Sequence, residues 1–394
     1  DHSLTDQLFG TDLSRIMWPF IGFASLSALI MGALNMVGVF GLPMLASAAF
    51  NVTSILLGLL IGYFIDPSFG PKALYGFACG VTIGGMAQIA VQLPKLSKTG
   101  FRWKPNFQWD DPRVRKIWGL MLPSVLASGV TQFTIFINTG FALDLQKGSV
   151  TALTTAFRLW QLPVGLFGVA TGMVVLPAVS RMMVGDGRKE VAVHIAKGLR
   201  LVAFFAVPAF LILSILGTEF VSSVYQWGRF NQEAVRYTGE VLGAYSLGLL
   251  GYAGTKVVQP VFLALAHRWV PLIAAAVALA ISIGLNYCFV YILHKTAAWL
   301  ALTTSVATTF NFLFYFFYLR RQLGGVDGRT LLSGLARIMA AGILLGAVCW
   351  AGKAWFLQGF LNWTFPARVL GISLVCGCAG IVYLAAAFLL KTPE

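Results

Sequence analysis

Charged residues are scarce in this sequence, and acidic residues are the scarcest among them. Charged residues make up 11% of the chain, with 14 Asp and Glu against 28 Lys and Arg. Hydrophobic residues make up 58%, and the mean hydropathy is +0.80. This composition excludes an ordinary soluble domain. The sequence therefore predicts an all-α polytopic membrane protein.

Histidine and cysteine are also sparse, with 4 and 5 residues. All the cysteines fall in apolar stretches, where a thiol behaves as a small apolar group. No cluster of His, Asp or Glu accompanies them, so neither a disulfide nor a metal site is predicted, and no cofactor is expected. A membrane enzyme, such as a glycosyltransferase acting on a lipid, is disfavoured because it needs acid–base groups at the membrane interface.

Apolar stretches long enough to cross a bilayer recur along the chain. A helix needs about 20 apolar residues to cross a hydrocarbon core of roughly 30 Å, and this criterion predicts about eleven transmembrane helices. They fall near residues 12–38, 43–65, 72–94, 114–143, 149–178, 197–217, 234–265, 270–293, 297–320, 331–357 and 366–390.

The net charge of +14 is concentrated on one side of the predicted spans. Stretches 95–116, 181–200 and 320–337 share that side and hold most of the basic residues. By the positive-inside rule this side is cytoplasmic, which places residue 1 outside and residue 394 inside. Basic residues at span ends indicate contact with membrane lipids rather than with nucleic acid.

A similar pattern occurs around Pro43 and around Pro271, where a long span ends and a proline opens the next one. Twofold repeats are a common build for transporters, with the substrate site between the halves. The offset in sequence number between Pro43 and Pro271 predicts a C-terminal lobe of six spans over 113–320. Residues 1–112 would be the remainder of an N-terminal lobe, from which about 115 residues with three spans are absent. Residues 321–394 would add two spans.

Three predicted spans carry polar residues at helical spacing, so that each set falls on one helix face. Because such groups need partners in hydrocarbon, these faces are expected to turn inward. A purely structural role is the alternative, since Ser and Thr also bond their own helix backbone or hold neighbouring helices together. The sets are Ser124, Ser128, Thr131 and Asn138; Thr151, Thr154, Thr155, Arg158 and Gln161; and Tyr245, Tyr252, Lys256 and Gln259.

Arg158 and Lys256 are the basic residues that fall deep within predicted spans. A charge at bilayer depth faces a protein interior or a water-filled cavity, and it marks a functional site by default. The guanidinium keeps its charge and offers a rigid fork of donors, which suits a phosphate or diphosphate group. A lysine can lose its proton or extend to the interface, so a structural role for Lys256 stays open.

The segment 157–170, FRLWQLPVGLFGVA, resembles the hallmark segment of the MurJ (MviN) lipid II flippases. The resemblance extends over essentially the whole chain. Further matching stretches are Leu176-Pro177 with Ser180, Gln92-Leu93-Pro94, YQWGRF at 225–230, and AYSLGL at 244–249 leading to Lys256-Val257 and Pro260.

The resemblance implies a two-lobed fold of fourteen spans, of the multidrug/oligosaccharidyl-lipid/polysaccharide exporter superfamily, with the spans here as the fourth to fourteenth. It also implies that the protein is a lipid II flippase of the bacterial inner membrane that works by alternating access. Arg158 would correspond to a cavity arginine that binds the lipid II head group, and the two spans after 321 would form a groove for the lipid tail. The expected substrate-binding residues are Arg158, Thr151, Thr155, Gln161, Asn138 and Lys256.

This chain also departs from the family pattern. Phe157 and Gln161 stand where relatives often carry acids, and the family's other essential arginines lie in spans that this sequence lacks. Alternatives are another polysaccharide-lipid or drug exporter of the superfamily, or a fragment that does not transport. A cation-coupled exporter is expected to carry a carboxylate in a span core, and the sequence places none there.

Overall fold

The computed structural model describes residues 2–39, 41–100, 111–165, 188–228, 230–265, 267, 269–325, 328–390 and 392. Within these ranges the chain is almost entirely helical and forms no strand. It divides into two compact units, Asp1–Gln108 and Trp109–Glu394. The division of the chain at 113 and 321 into lobes with different roles stays a prediction.

The described part of the first unit contains four α-helices: α1 His2–Met17, α2 Pro19–Met36, α3 Gly41–Ile65 and α4 Leu74–Lys98. Its small core includes Ile30, Leu34 and Ile89. Helices α3 and α4 approach closely because glycines line their contact. A Cβ atom on Gly80 would lie 2.6 Å from the Ser54 carbonyl oxygen, so no larger residue fits without separating the helices.

The described part of the second unit contains the α-helices α5 Pro112–Leu143, α6 Ser149–Pro163, α7 Arg188–Ile215, α8 Gly217–Tyr225, α9 Gln232–Ser246, α10 Leu249–Ala264, α11 Trp269–Tyr287, α12 Ala297–Gln322, α13 Gly328–Ala351 and α14 Phe365–Leu389. They pack around three larger apolar clusters and one small cluster between α7 and α13. The first large cluster includes residues of α7, α10, α11, α12 and α13. The second includes residues of α6, α7, α8, α9 and α12, and the third holds α13 and α14 against α7 and α8.

The described residues contain 8 helices long and apolar enough to cross a membrane, or 9 if the bent pair α9 and α10 counts as one span. These coincide with all the predicted spans except 114–143 and 149–178. The first of these is the continuous helix α5, several of whose side chains lie outside the described residues. The second begins as α6, and its part after Gly165 lies outside the described residues. The all-α membrane fold is confirmed.

The predicted span 234–265 is bent by 46° between α9 and α10. Gly248 lies at the bend, and a Cβ atom there would come within 2.6 Å of the Ser305 Cα atom. The Ser305 hydroxyl contacts the carbonyl oxygens of Ala244 and Tyr245 at 2.7 and 3.1 Å. A neighbouring helix thus satisfies carbonyls beside the break, which is how a bent helix is tolerated in hydrocarbon.

Candidate functional site

Helix α6 presents a polar face that runs along its exposed side. Thr151, Arg158 and Gln161 are exposed and Thr155 is half-buried, whereas Ala152, Ala156 and Leu159 on the other side are buried in the second apolar cluster. The helix follows Gly148, whose φ of 92° lies in the left-handed region that favours glycine. The predicted stripe on this segment therefore forms one surface, with Arg158 near its middle.

Arg158 makes no ion pair and no hydrogen bond with the described part of the chain. A permanently charged guanidinium cannot remain in hydrocarbon without hydration or an anionic partner, because desolvation of the unpaired charge is too costly. The exposed face of α6 is therefore expected to border water or a polar ligand. An anion with two acceptor oxygens matches the fork of the guanidinium.

A cavity of about 680 Å³ lies inside the second unit. Helices α5, α6 and α9 to α12 line it, and α6 contributes the side that includes Val150, Thr154 and Trp160. At 3.6 residues per turn, Arg158 points roughly 100° away from that side. Thr151, Thr155 and Gln161 do not line the cavity either, while Asn138 and Lys256 do. The six predicted residues thus form two groups.

Asn138 belongs to a polar network that joins three helices across the cavity wall. The Asn286 amide donates to Asn138 Oδ1 at 2.7 Å, and Asn138 Nδ2 donates to Thr304 Oγ1 at 3.3 Å. Asn286 is fully buried. Sequence reasoning missed both partners of Asn138, and the signal for Asn286 is a single amide within an apolar run. The hydrogen bonds leave Asn138 with only part of its capacity for a ligand.

Lys256 projects into the same cavity beside aromatic rings. Its ammonium lies 4.8 Å from the centroid of the Tyr252 ring, and that ring lies 4.7 Å from the ring of Trp160. Tyr245 also lines the cavity, and so does Gln259. The third predicted stripe therefore faces a common space. Of the first stripe, Ser124, Ser128 and Thr131 have side chains outside the described residues.

Sequence reasoning also missed a charged pair at the end of the bundle. Lys353 Nζ lies 3.2 Å from Glu219 Oε2 and 2.7 Å from the Ile215 carbonyl oxygen. Lys353 lies in a π-helical turn, Gly352–Phe356, that follows α13. The pair links α13 to the break between α7 and α8, which indicates a structural role.

Metal ligands do not cluster in the described residues. No group of three or more His, Cys, Asp or Glu side chains in these ranges could hold a metal ion. The polar groups around the cavity are amides, hydroxyls and one ammonium, which bind ligands through hydrogen bonds and charge.

A family model described as the lipid II flippase MurJ matches residues 3–371. A probable lipid II flippase MurJ of Vibrio cholerae is 30% identical over 379 residues, which are 96% of this chain and 70% of the relative. A lipid II flippase MurJ of Burkholderia cenocepacia is 31% identical over 314 residues, which are 79% of this chain and 60% of the relative. The chain thus spans less than two thirds of the Burkholderia protein.

Two solved structures share the fold. A lipid II flippase MurJ in an inward closed conformation matches with a TM-score of 0.71 and 22% identity, covering 96% of this chain and 75% of the other. The Vibrio cholerae MATE transporter VcmN, as its D35N mutant, matches with a TM-score of 0.58 and 16% identity, covering 78% and 68%. With the family model spanning nearly all of the sequence, these matches establish that the chain belongs to the lipid II flippase MurJ family.

Proposed function

We propose that this protein moves lipid II, a lipid-linked peptidoglycan precursor, across the bacterial inner membrane by alternating access. Membership of the MurJ family supports the substrate and the transport activity, because the relatives are named lipid II flippases. The multi-span helical fold suits a carrier that moves a polar head group while the lipid tail stays in the bilayer.

The single observation that carries the proposal is the placement of Arg158. It stands on the exposed face of a helix that is otherwise largely apolar, without a carboxylate partner in the described residues. In this role Arg158 holds the diphosphate of lipid II through bidentate, charge-assisted hydrogen bonds. Thr151, Thr155 and Gln161 lie on the same side and offer hydroxyl and amide groups to the sugar or peptide parts of the head group.

Asn138 and Lys256, the other two residues that the sequence predicted as head-group contacts, line the separate cavity, which Arg158 does not line. We therefore assign the head group to the exposed face of α6 and leave Asn138 and Lys256 out of the lipid II site. The pair α13 and α14 is proposed to contact the lipid tail. Apolar side chains that are exposed along this pair support that role, including Ile343, Leu344 and Leu370.

Lipid II binding by native mass spectrometry tests the proposal. The Arg158→Ala variant is expected to lose about 2 kcal/mol, or roughly 30-fold in affinity, because a charge-assisted pair is removed. Arg158→Lys keeps the charge but loses the forked set of donors, so its lipid II affinity is expected to lie between those of the wild type and Arg158→Ala. Arg321→Ala is the matched control, since Arg321 is an exposed arginine in the last turn of α12. Equal affinity of wild type and Arg158→Ala would contradict the role of this residue.

The same measurement separates the alternatives. A polysaccharide-lipid exporter should prefer an undecaprenyl diphosphate that carries another sugar, and a drug exporter should bind neither lipid. A chimera that adds the remaining segments of the Vibrio cholerae relative addresses the fragment alternative. If the chimera transports lipid II and this chain does not, while both bind lipid II in a manner that depends on Arg158, then this chain binds the lipid without moving it.

A further inference from the structure

The cavity in the second unit has an apolar wall on one part of its surface and a charged side chain on another. Its apolar wall includes Pro260, Pro271, Ala275 and Leu279, contributed by α10 and α11. Among the described residues that line it, Lys256 is the one that carries a charge, and none is a carboxylate. A space of about 680 Å³ is in the range of sites for drug-sized molecules.

The charge of Lys256 has no anionic counterpart in the described ranges of the chain. Its ammonium contacts the Tyr252 ring, whose attraction for a cation is weaker than a desolvated ion pair. Lys256 is half-buried, and an ammonium that is partly removed from water is attracted to an anion more strongly than one that is fully exposed. The cavity therefore favours a negatively charged occupant next to Lys256.

One hydrogen-bond donor at the cavity lacks a partner, whereas the donors of three threonines in the wall are already used. The hydroxyls of Thr154, Thr255 and Thr308 donate to carbonyl oxygens of their own helices. Trp160 is 1% exposed and lines the cavity, yet its indole N–H has no acceptor in the part of the chain that the structure describes. A buried donor without a partner is costly, so a ligand acceptor that reaches Trp160 would be stabilised there.

We infer that this cavity is a binding site for an amphipathic organic anion, distinct from the lipid II site at Arg158. One carboxylate, sulfonate or phosphate head would pair with Lys256 and accept a hydrogen bond from Trp160. The apolar body would pack on the wall formed by Pro260, Pro271 and Ala275. The inference does not depend on lipid II being the substrate, because Arg158 does not line this cavity.

A matched pair of fluorescent probes tests the inference. Dansylglycine carries an apolar ring system and one carboxylate, and dansylglycinamide is its uncharged counterpart. Binding to the purified protein in a nonionic detergent is followed by dansyl anisotropy, with empty micelles subtracted. The anion is expected to bind at least tenfold more tightly than the amide. Equal affinities would overturn the inference without any variant being made.

Variants locate the site. Lys256→Gln is expected to abolish the preference for the anion, and Trp160→Phe to lower anion affinity about threefold by removing one donor. Lys295→Gln is the matched control, because Lys295 makes a similar contact with Trp299 at 5.5 Å but does not line the cavity. Ala275→Phe fills the apolar wall and should weaken both probes. Loss of the preference in Lys295→Gln, or its retention in Lys256→Gln, would overturn the site.

Lipid II distinguishes this site from the proposed transport site. Arg158→Ala should leave dansylglycine affinity unchanged, and saturating lipid II should not displace the probe. If lipid II competes with dansylglycine, the cavity is part of the lipid pathway and a distinct site is ruled out. If dansylglycine binds as expected while lipid II does not bind at all, the anion site stands and the proposed function fails.

Discussion

The side-chain amide of Asn286 donates a hydrogen bond to Asn138 Oδ1 at 2.7 Å and thereby joins α11 to α5. The two residues are separated by 148 positions in the sequence. In an apolar helix bundle a hydrogen bond of this kind fixes which helix faces meet, because the fully buried Asn286 amide would otherwise lack an acceptor for its N–H groups.

Asn286→Ala is expected to destabilise the protein by about 1 kcal/mol, because it leaves the acceptor oxygen of the half-buried Asn138 amide without its donor. Thermal unfolding in detergent measures the change. Thr139→Ala on α5 is the control, since Thr139 is half-buried like Asn138 but its hydroxyl bonds its own helix at Ile135. In the double variant Asn138→Ala, Asn286→Ala the effects should be less than additive. Strict additivity would show that the hydrogen bond contributes nothing.

Gly248→Ala is expected to lower the unfolding temperature strongly, because the added methyl group would lie 2.6 Å from the Ser305 Cα atom at the α9–α10 bend. Gly243→Ala is its matched control on α9. A Cβ atom there meets nothing nearer than the Ser214 carbonyl oxygen at 3.7 Å, an ordinary contact, and alanine favours a helix. Both variants are compared by thermal unfolding, and equal changes would contradict the close packing at Gly248.

Hydropathy predicted most of the fold because a span is a local property. The apolar residues between 366 and 390 predict a membrane helix whatever packs against them in the fold, and α14 does span Phe365–Leu389. The bend at Gly248 could not be predicted in the same way, since glycine is common in these spans. The bend is accommodated by Ser305 of α12, which bonds the Ala244 carbonyl oxygen, and only tertiary packing brings these two residues together.

The candidate site shows the same limit. Helical periodicity placed Thr151 and Arg158 on one face of α6, and the structure agrees, because both positions belong to one helix. Periodicity carries no information on which faces of different helices meet. It therefore could not show that Lys256 lines a separate cavity together with Trp160, which belongs to a different helix.

Lys353→Met is expected to destabilise the attachment of α13 by about 1–2 kcal/mol. The change leaves the Glu219 carboxylate, whose side chain is 10% exposed, without the ammonium at 3.2 Å. The lysine side chain is 40% exposed, so solvent screening keeps the loss below that of a fully buried pair. Adding Glu219→Gln to Lys353→Met removes the uncompensated charge and should restore part of the stability. A double variant no more stable than Lys353→Met would contradict this explanation.

The orientation of the chain in the membrane is tested at the two ends of one helix. Helix α12 ends with Arg320 and Arg321 in its last turn, and the positive-inside rule places that end in the cytoplasm. In a chain with all native cysteines replaced by alanine, a membrane-impermeant maleimide should label Lys295→Cys in intact spheroplasts. Gln322→Cys should be labelled only after lysis. Both positions are exposed, so a difference in labelling reports the side of the membrane rather than burial. The reverse pattern would invert the proposed orientation and place residue 394 outside the cell.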